Sequence, residues 1–256
     1  MTPEEQYLFD LRGFLVVPGA LSPEELSELN AIFDERDASE SEPAAAKHRF
    51  QRLMWWGAAY RKLIDNPRIT SYLAELIGPQ FRLDHDYADL IRSGRGPTGT
   101  MLHGGGTPFD PCMFFHGRDG RMHNGLTAVA YYLRDVNPGE GGFGCVPGSH
   151  KSNYPFPDAW RNLEELQHPC VSAVAAPAGT AIIFTEALTH GTLPWRGKAD
   201  RRTLFYKYSP PAISWSAHYY DANEFDDLTV RQRAILEGPN ARYGGRKLPY
   251  IVGRKA

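Results

Sequence analysis

At 256 residues, of which 42% are hydrophobic and 23% charged, the chain is long enough to bury a sizeable core within one domain. Its formal net charge of −2, with acidic and basic residues interspersed, argues against nucleic acid or a membrane as partner, so a small molecule is expected. The apolar runs are too short for a membrane span, and the N-terminus lacks a signal-peptide pattern, so a cytoplasmic protein is expected. The chain has 3 cysteines, and this odd number predicts reduced thiols.

The N-terminal third of the chain carries helical signals. Four residues from Ser22 combine an N-cap, a proline at the first helical position and a glutamate three residues after the cap. Apolar residues then recur at helical spacing, which predicts a helix over residues 23–37. A second apolar stripe starts after Asn66 and ends at Gly78, and the polar stretch 39–47 between them is predicted to be a loop.

From Phe81 onward the pattern changes to short β-type runs separated by glycine and proline. The predicted strands are 81–91, 127–133, 142–146, 180–185 and 203–208. Many short strands with turns between them favour a sandwich or a barrel. Short helices are expected at 158–166 and 227–236, and nothing in the pattern marks a second domain.

Two histidines stand out because each lies where a predicted strand meets a glycine-containing turn. His103 lies in the segment Leu-His-Gly-Gly-Gly at residues 102–106, and His190 lies in Thr-His-Gly at residues 189–191. The mouth of a barrel presents ligands at such junctions, and histidine is the commonest metal ligand. The two histidines are therefore a candidate metal site.

The most distinctive segment of the sequence is the strand-turn block at residues 139–151, Gly-Glu-Gly-Gly-Phe-Gly-Cys-Val-Pro-Gly-Ser-His-Lys. The segments 178–184, 188–191 and 201–208 follow it in order. Together these segments resemble the phytanoyl-CoA dioxygenase family of Fe(II)- and 2-oxoglutarate-dependent enzymes. The resemblance covers roughly residues 81–210, about half of the chain.

The resemblance implies a mostly-β fold with flanking helices, built on a double-stranded β-helix (a jelly-roll, cupin-like barrel). Residues 1–256 then form a single domain with a helical part over 1–80, a barrel core over about 81–210 and a C-terminal extension over 211–256. The extension ends in a mildly basic tail, which is expected to cover the pocket or to contact a partner; its basic residues are Arg246, Lys247, Arg254 and Lys255.

The resemblance also implies roles for individual residues. His103 and His190 match the two iron-binding histidines, and Arg201, eleven residues after His190, matches the arginine that pairs with the far carboxylate of 2-oxoglutarate. Arg202 is the alternative. Neighbouring residues of a strand point to opposite faces, so only one of the two arginines can serve, and Arg201 is favoured. His150 is expected to be structural, as part of a turn.

One expected ligand is missing from the motif. The family pattern places a carboxylate two residues after the first histidine, and this chain has Gly105 there. In the favoured interpretation chloride binds iron beside Gly105, as in the His-x-Gly halogenases that the motif resembles, and the cofactors are Fe(II), 2-oxoglutarate and chloride, with O2 as cosubstrate.

Two alternatives to halogenation remain open at this point. In one, an acid such as Asp110, or one of Asp84, Asp86 and Asp89, reaches the metal and the enzyme is a hydroxylase. In the other, the barrel binds a ligand without catalysis.

The expected substrate is a free small molecule, and the sugar of a purine nucleotide used in antibiotic biosynthesis is the candidate that the resemblance suggests. Phosphate donors and a stacking surface near the barrel mouth support a nucleotide; the candidate residues are His116, Arg118, Arg121, His123 and Trp215. A substrate tethered to a carrier protein is the less favoured alternative.

Overall fold

A computed structural model of the chain describes residues 1–96, 98 and 101–240, and the basic tail lies outside these residues. The strands of the described part are β1 (Phe14–Val17), β2 (Lys47–Gln51), β3 (Arg82–Ile91), β4 (Phe115–Arg118), β5 (Arg121–Asn124), β6 (Thr127–Tyr132), β7 (Gly142–Cys145), β8 (Ser172–Ala173), β9 (Ala181–Thr185), β10 (His190–Leu193) and β11 (Arg201–Ser209). Its α-helices are α1 (Pro3–Arg12), α2 (Pro23–Glu40), α3 (Ala58–Arg61), α4 (Thr70–Leu76) and α5 (Val230–Leu236).

The strands form antiparallel sheets. The larger sheet has six strands in the order β1-β9-β6-β11-β3-β2, and a smaller sheet has the order β10-β7-β8. Strands β4 and β5 form a separate hairpin. The expected mostly-β architecture with flanking helices is confirmed, and all five strands predicted from the sequence are present in it.

Capping chemistry explains where α1, α2 and α5 begin. Ser22 caps α2, its hydroxyl accepting from the backbone N–H of Glu25 while the Glu25 carboxylate accepts from the backbone N–H of Ser22. The same reciprocal cap at Thr2 starts α1, a helix that the sequence analysis missed. Helix α2 runs three residues further than predicted, to Glu40.

Two of the predicted helix boundaries are wrong. The segment 158–166 contains only a single 3-10 turn at Asp158–Trp160. The last helix begins at Val230 because Thr229 caps it, whereas the predicted cap, Asp227, binds the guanidinium of Arg61 at 2.7 Å. A side chain engaged by a distant arginine is not available to cap its own segment.

Alternation along β11 gives the main sheet two different faces. Leu204, Tyr206 and Tyr208 are fully buried in the core formed with the helices. Arg201 and Lys207 lie on the opposite face, together with Phe205. Burying a large apolar side chain contributes roughly 1.5–3 kcal/mol, so the helical layer fixes the orientation of β11. This orientation decides which basic residues reach the interior beside the two histidines.

His150 anchors the turn after β7 against α1. Its side chain is 2% exposed, and Nε2 donates to the backbone oxygen of Asp10 at 3.0 Å. Its ring meets the ring of Phe115 edge-on. The structural role expected for His150 agrees with this environment.

Acidification is expected to destabilise the fold through His150. Burial lowers the pKa of His150 to about 4, from an ordinary value of 6.5. The unfolded chain binds this proton first, so the stabilising contribution is complete above pH 6.5 and is lost as the pH falls towards 4. The loss amounts to about 3 kcal/mol.

Urea unfolding at pH 7, 5.5 and 4 would measure this loss, with pH values chosen to span the titration. His150→Gln is expected to be less stable at pH 7 and to lose less stability on acidification than the unaltered protein. His218→Gln, at an exposed position, is the matched control. An unchanged pH dependence in His150→Gln would contradict the assignment.

Candidate metal centre

His103 comes together at the small sheet with two side chains from a distant turn, Glu186 and His190. Within the described part of the chain, the ligand atoms of His103, Glu186 and His190 all lie within 4.8 Å of one another. Two imidazoles and one carboxylate are the ligand set of the non-haem Fe(II) oxygenases, which leaves further coordination positions open. The residues present therefore fit an Fe(II) ion.

Backbone pairing holds the two histidines together. The N–H of His103 donates to the carbonyl of His190 at 2.9 Å, and the N–H of His190 donates back at 2.8 Å. The two ring centroids are 4.2 Å apart. Nδ1 of His190 lies 2.7 Å from the carbonyl of Leu188, which leaves Nε2 directed towards the candidate metal position.

Glu186 supplies the carboxylate that the His-x-Gly motif lacks. It follows β9 in the turn that leads to His190, and its backbone N–H donates to Leu126 at 2.9 Å. Its Oε2 lies 3.7 Å from Nε2 of His190. The sequence analysis missed Glu186 because it sought the acid close to His103. The available signal was a glutamate four residues before the second histidine, just after a strand.

Electrostatics keeps the three groups in the forms that bind a metal. Burial lowers the pKa of His190 to about 3, and burial also lowers the pKa of His103, so both imidazoles are neutral near pH 7. Burial alone would raise the pKa of Glu186, but the charge of Lys207 and its hydrogen bond lower it to about 2. The centre thus offers two neutral nitrogens and an ionised carboxylate.

The backbone at Gly105 explains why no carboxylate stands there. Its φ is +122°, a conformation that side chains rarely adopt, and a Cβ would lie 3.1 Å from Oγ1 of Thr189. An aspartate at this position would be strained whatever it bound. Gly105 lines a different cavity from the one at the two histidines.

The other acids proposed from the sequence are engaged elsewhere. Asp110 accepts from the backbone N–H groups of Cys112 and Met113, at 2.7 and 3.0 Å, which makes it a turn-forming residue. The three aspartates of β3 also have other partners: Asp84 binds Arg82 and His85, Asp86 binds Tyr220 and the backbone of Leu53, and Asp89 binds Arg49. Neither Asp110 nor these aspartates belong to the group formed with the histidines.

The two adjacent arginines of β11 have different environments. Arg202 donates to Asp34 at 2.6 Å and lies over the ring of Phe33, on the helical side of the sheet. Arg201 is 2% exposed, lines the cavity at the histidines, and its Nε and Nη1 have no hydrogen-bond partner among the described residues. A buried, unsatisfied guanidinium is suited to a carboxylate, which it can bind through two oxygens.

The cavity at this centre has a volume of about 420 Å³. Its aromatic wall consists of Tyr87, Phe143 and Phe205, while Lys47 and Arg49 of the edge strand also line it. A volume of this size holds 2-oxoglutarate together with part of a small substrate.

The candidate substrate residues do not line this cavity. Arg118 and Arg121 lie on the β4–β5 hairpin and face a second cavity formed with α1. His116 and His123 are paired across that hairpin. Trp215 packs on His85, with ring centroids 4.9 Å apart. A role in substrate binding remains a prediction for all five residues.

Among the described residues, every helix is too short or too polar to span a membrane.

Known proteins resemble this chain in sequence. The family model for phytanoyl-CoA dioxygenase (PhyH) matches residues 95–203. An ectoine dioxygenase of Nocardia farcinica (strain IFM 10152) is 25% identical over 213 residues, which are 79% of this chain and 68% of that protein. Both matches support the resemblance found in the sequence motifs.

Solved structures of HygX from Streptomyces hygroscopicus share the fold. With nickel and 2-oxoglutarate bound, HygX has a TM-score of 0.76 and 24% identity, over 84% of this chain and 89% of HygX. With iron bound it has a TM-score of 0.72 and 23% identity, over 84% and 88% of the two chains. The comparisons thus give a family-model match over residues 95–203 and a fold shared with HygX.

Proposed function

We propose that this phytanoyl-CoA dioxygenase-like chain is an Fe(II)- and 2-oxoglutarate-dependent hydroxylase, with His103, Glu186 and His190 as its metal ligands. The observation that carries the proposal is the Glu186 carboxylate beside both imidazoles. Iron and 2-oxoglutarate supply the oxidising power, because oxidative decarboxylation to succinate and CO2 activates O2 for attack on a carbon–hydrogen bond.

The chain's own residues bind and orient the reactants. Arg201 holds the far carboxylate of 2-oxoglutarate through its unpaired guanidinium atoms. The aromatic wall of Tyr87, Phe143 and Phe205 limits water next to the metal centre. His103 is the most exposed residue of the three, so in this proposal substrate approaches from its side.

The substrate in this proposal is a free small molecule with an anionic group, which includes nucleotides. Lys47 and Arg49 line the cavity and share the single acid Asp89, so positive charge remains available to an anion. All three cysteines are free thiols, and we place the reaction in the cytoplasm on that ground.

Chlorination is the second candidate, and Gly105 is the observation that favours it. A glycine beside His103 leaves no side chain to act as ligand there. Glu186 weakens this interpretation because a carboxylate already completes the ligand set from the neighbouring turn. We therefore rank hydroxylation first, with chloride playing no part in it.

Dependence on chloride separates the two functions. Protein loaded with Fe(II) is supplied with 2-oxoglutarate, O2 and a panel of small anionic compounds, in buffers that contain either chloride or acetate. The expected product carries one added oxygen atom, and succinate forms at the same rate in both buffers. A chlorinated product, or succinate formation that requires chloride, would establish the halogenase instead.

A further inference from the structure

Lys207 contacts the carboxylate of the candidate metal centre without being one of its ligands. Its Nζ donates to Oε1 of Glu186, while Oε2 of the same carboxylate faces Nε2 of His190 at 3.7 Å. We propose that Lys207 is a positioning residue that reserves one oxygen of Glu186, so that the carboxylate binds the metal through Oε2 alone. The inference rests on the proposed function, since it assumes that Glu186 is a ligand.

The surroundings of Lys207 hold its ammonium group in one place. The side chain is 4% exposed and lies among the rings of Tyr87, Phe184 and Phe205, at 5.6, 5.2 and 5.4 Å from their centroids. Its Nζ has the Glu186 carboxylate as hydrogen-bond partner. An ammonium held in this way can direct a carboxylate more firmly than an exposed lysine can.

Stability alone does not explain this ion pair. Replacing a buried ion pair by apolar residues of similar volume is often neutral or stabilising. Around Lys207 the neighbours are aromatic, so a leucine or methionine would pack well there. A charged residue at this place is better explained by its effect on Glu186.

The number of coordination positions on an Fe(II) ion explains why the contact between Lys207 and Glu186 matters. An octahedral Fe(II) ion has about six positions, and two histidines with one carboxylate oxygen fill three of them. A chelating keto acid and one further small ligand need the remaining three. A carboxylate that bound through both oxygens would remove one of these, and the hold of Lys207 on Oε1 prevents this.

The test compares four variants in an anaerobic titration without substrate. Lys207→Met removes the donor, Lys207→Gln keeps a neutral donor, and Lys207→Arg keeps both donor and charge. Lys151→Met removes a lysine that pairs with Asp10 outside this cavity, and it serves as the matched control. Metal affinity is measured by competition with a chromogenic chelator, and 2-oxoglutarate binding by the visible charge-transfer band of an Fe(II)-chelated keto acid.

Lys207→Met is expected to lower the affinity for 2-oxoglutarate by about tenfold or more and to weaken the band at saturation. Its metal affinity stays within about tenfold of the unaltered protein, because a weaker hold on the carboxylate is offset by the loss of a like charge. Lys207→Arg restores the band, Lys207→Gln lies between the two, and Lys151→Met has no effect on either measurement.

Several outcomes would overturn the inference. An unchanged affinity and band in Lys207→Met would show that Lys207 does not direct Glu186, and so would an equal loss in Lys151→Met. Loss of metal binding in Lys207→Met and Lys207→Gln would show that the lysine only keeps the carboxylate in place. If the unaltered protein bound neither metal nor 2-oxoglutarate, the proposed function would fail as well. Binding by the unaltered protein therefore distinguishes a failure of the inference from a failure of the proposed function.

Discussion

Glu186→Gln is expected to lower the affinity for Fe(II) by more than about a hundredfold, and with it the formation of succinate. The amide keeps the shape of the side chain but loses the charge that an Fe(II) site needs from its single acid. Metal affinity by chelator competition and succinate release are the two measurements.

The matched control for this prediction is Asp110→Asn. Asp110 accepts backbone hydrogen bonds in a turn and is not one of the metal-site residues, so its amide variant should bind Fe(II) as the unaltered protein does. Glu186→Gln leaves Lys207 without an anionic partner, which costs stability in a buried site. The double variant Glu186→Ala with Lys207→Met removes both charges; it should fold and still bind no metal. Tight Fe(II) binding by either Glu186 variant would refute this ligand set.

Arg201→Lys is expected to raise the KM for 2-oxoglutarate by about tenfold to a hundredfold, which corresponds to roughly 1.4–2.8 kcal/mol. Lysine keeps the positive charge but cannot bind two carboxylate oxygens through a planar fork. The guanidinium of Arg201 is buried at the cavity with two atoms unpaired, so its loss is felt mainly when the cosubstrate binds.

Arg202→Lys provides the comparison for Arg201→Lys. Arg202 binds Asp34 on the helical side of β11, so this change should lower the melting temperature slightly and leave the KM for 2-oxoglutarate unchanged. The KM in both variants comes from succinate formation at saturating Fe(II). Equal effects of the two substitutions would mean that neither arginine alone holds the cosubstrate.

Local sequence rules predicted much of this molecule. The cap at Ser22 located α2, and the apolar runs located the strands, because each of these signals lies within a few residues of the element it defines. Strand alternation likewise distinguished Arg201 from Arg202, and the structure places them on opposite faces of β11. These features depend on neighbours along the chain, which a sequence displays directly.

Features that depend on contacts between distant segments could not be predicted in this way. Glu186 acts with His103 only because two backbone hydrogen bonds bring the turn after β9 beside residue 103. Lys207 lies in β11, and it contacts Glu186 in the turn after β9, a strand that is not adjacent to β11 in sequence. Neither pairing follows from the composition or the periodicity of the segment that contains it.

The reciprocal backbone bonds between His103 and His190 have a consequence for how the centre assembles. Because the peptide groups set the spacing of the imidazoles, the ion meets a pair of donors that is already ordered. Little chain entropy is then lost when the ion enters, and affinity comes mainly from bond formation. We therefore expect the fold to persist when the ion is removed and the same two donors to take it up again.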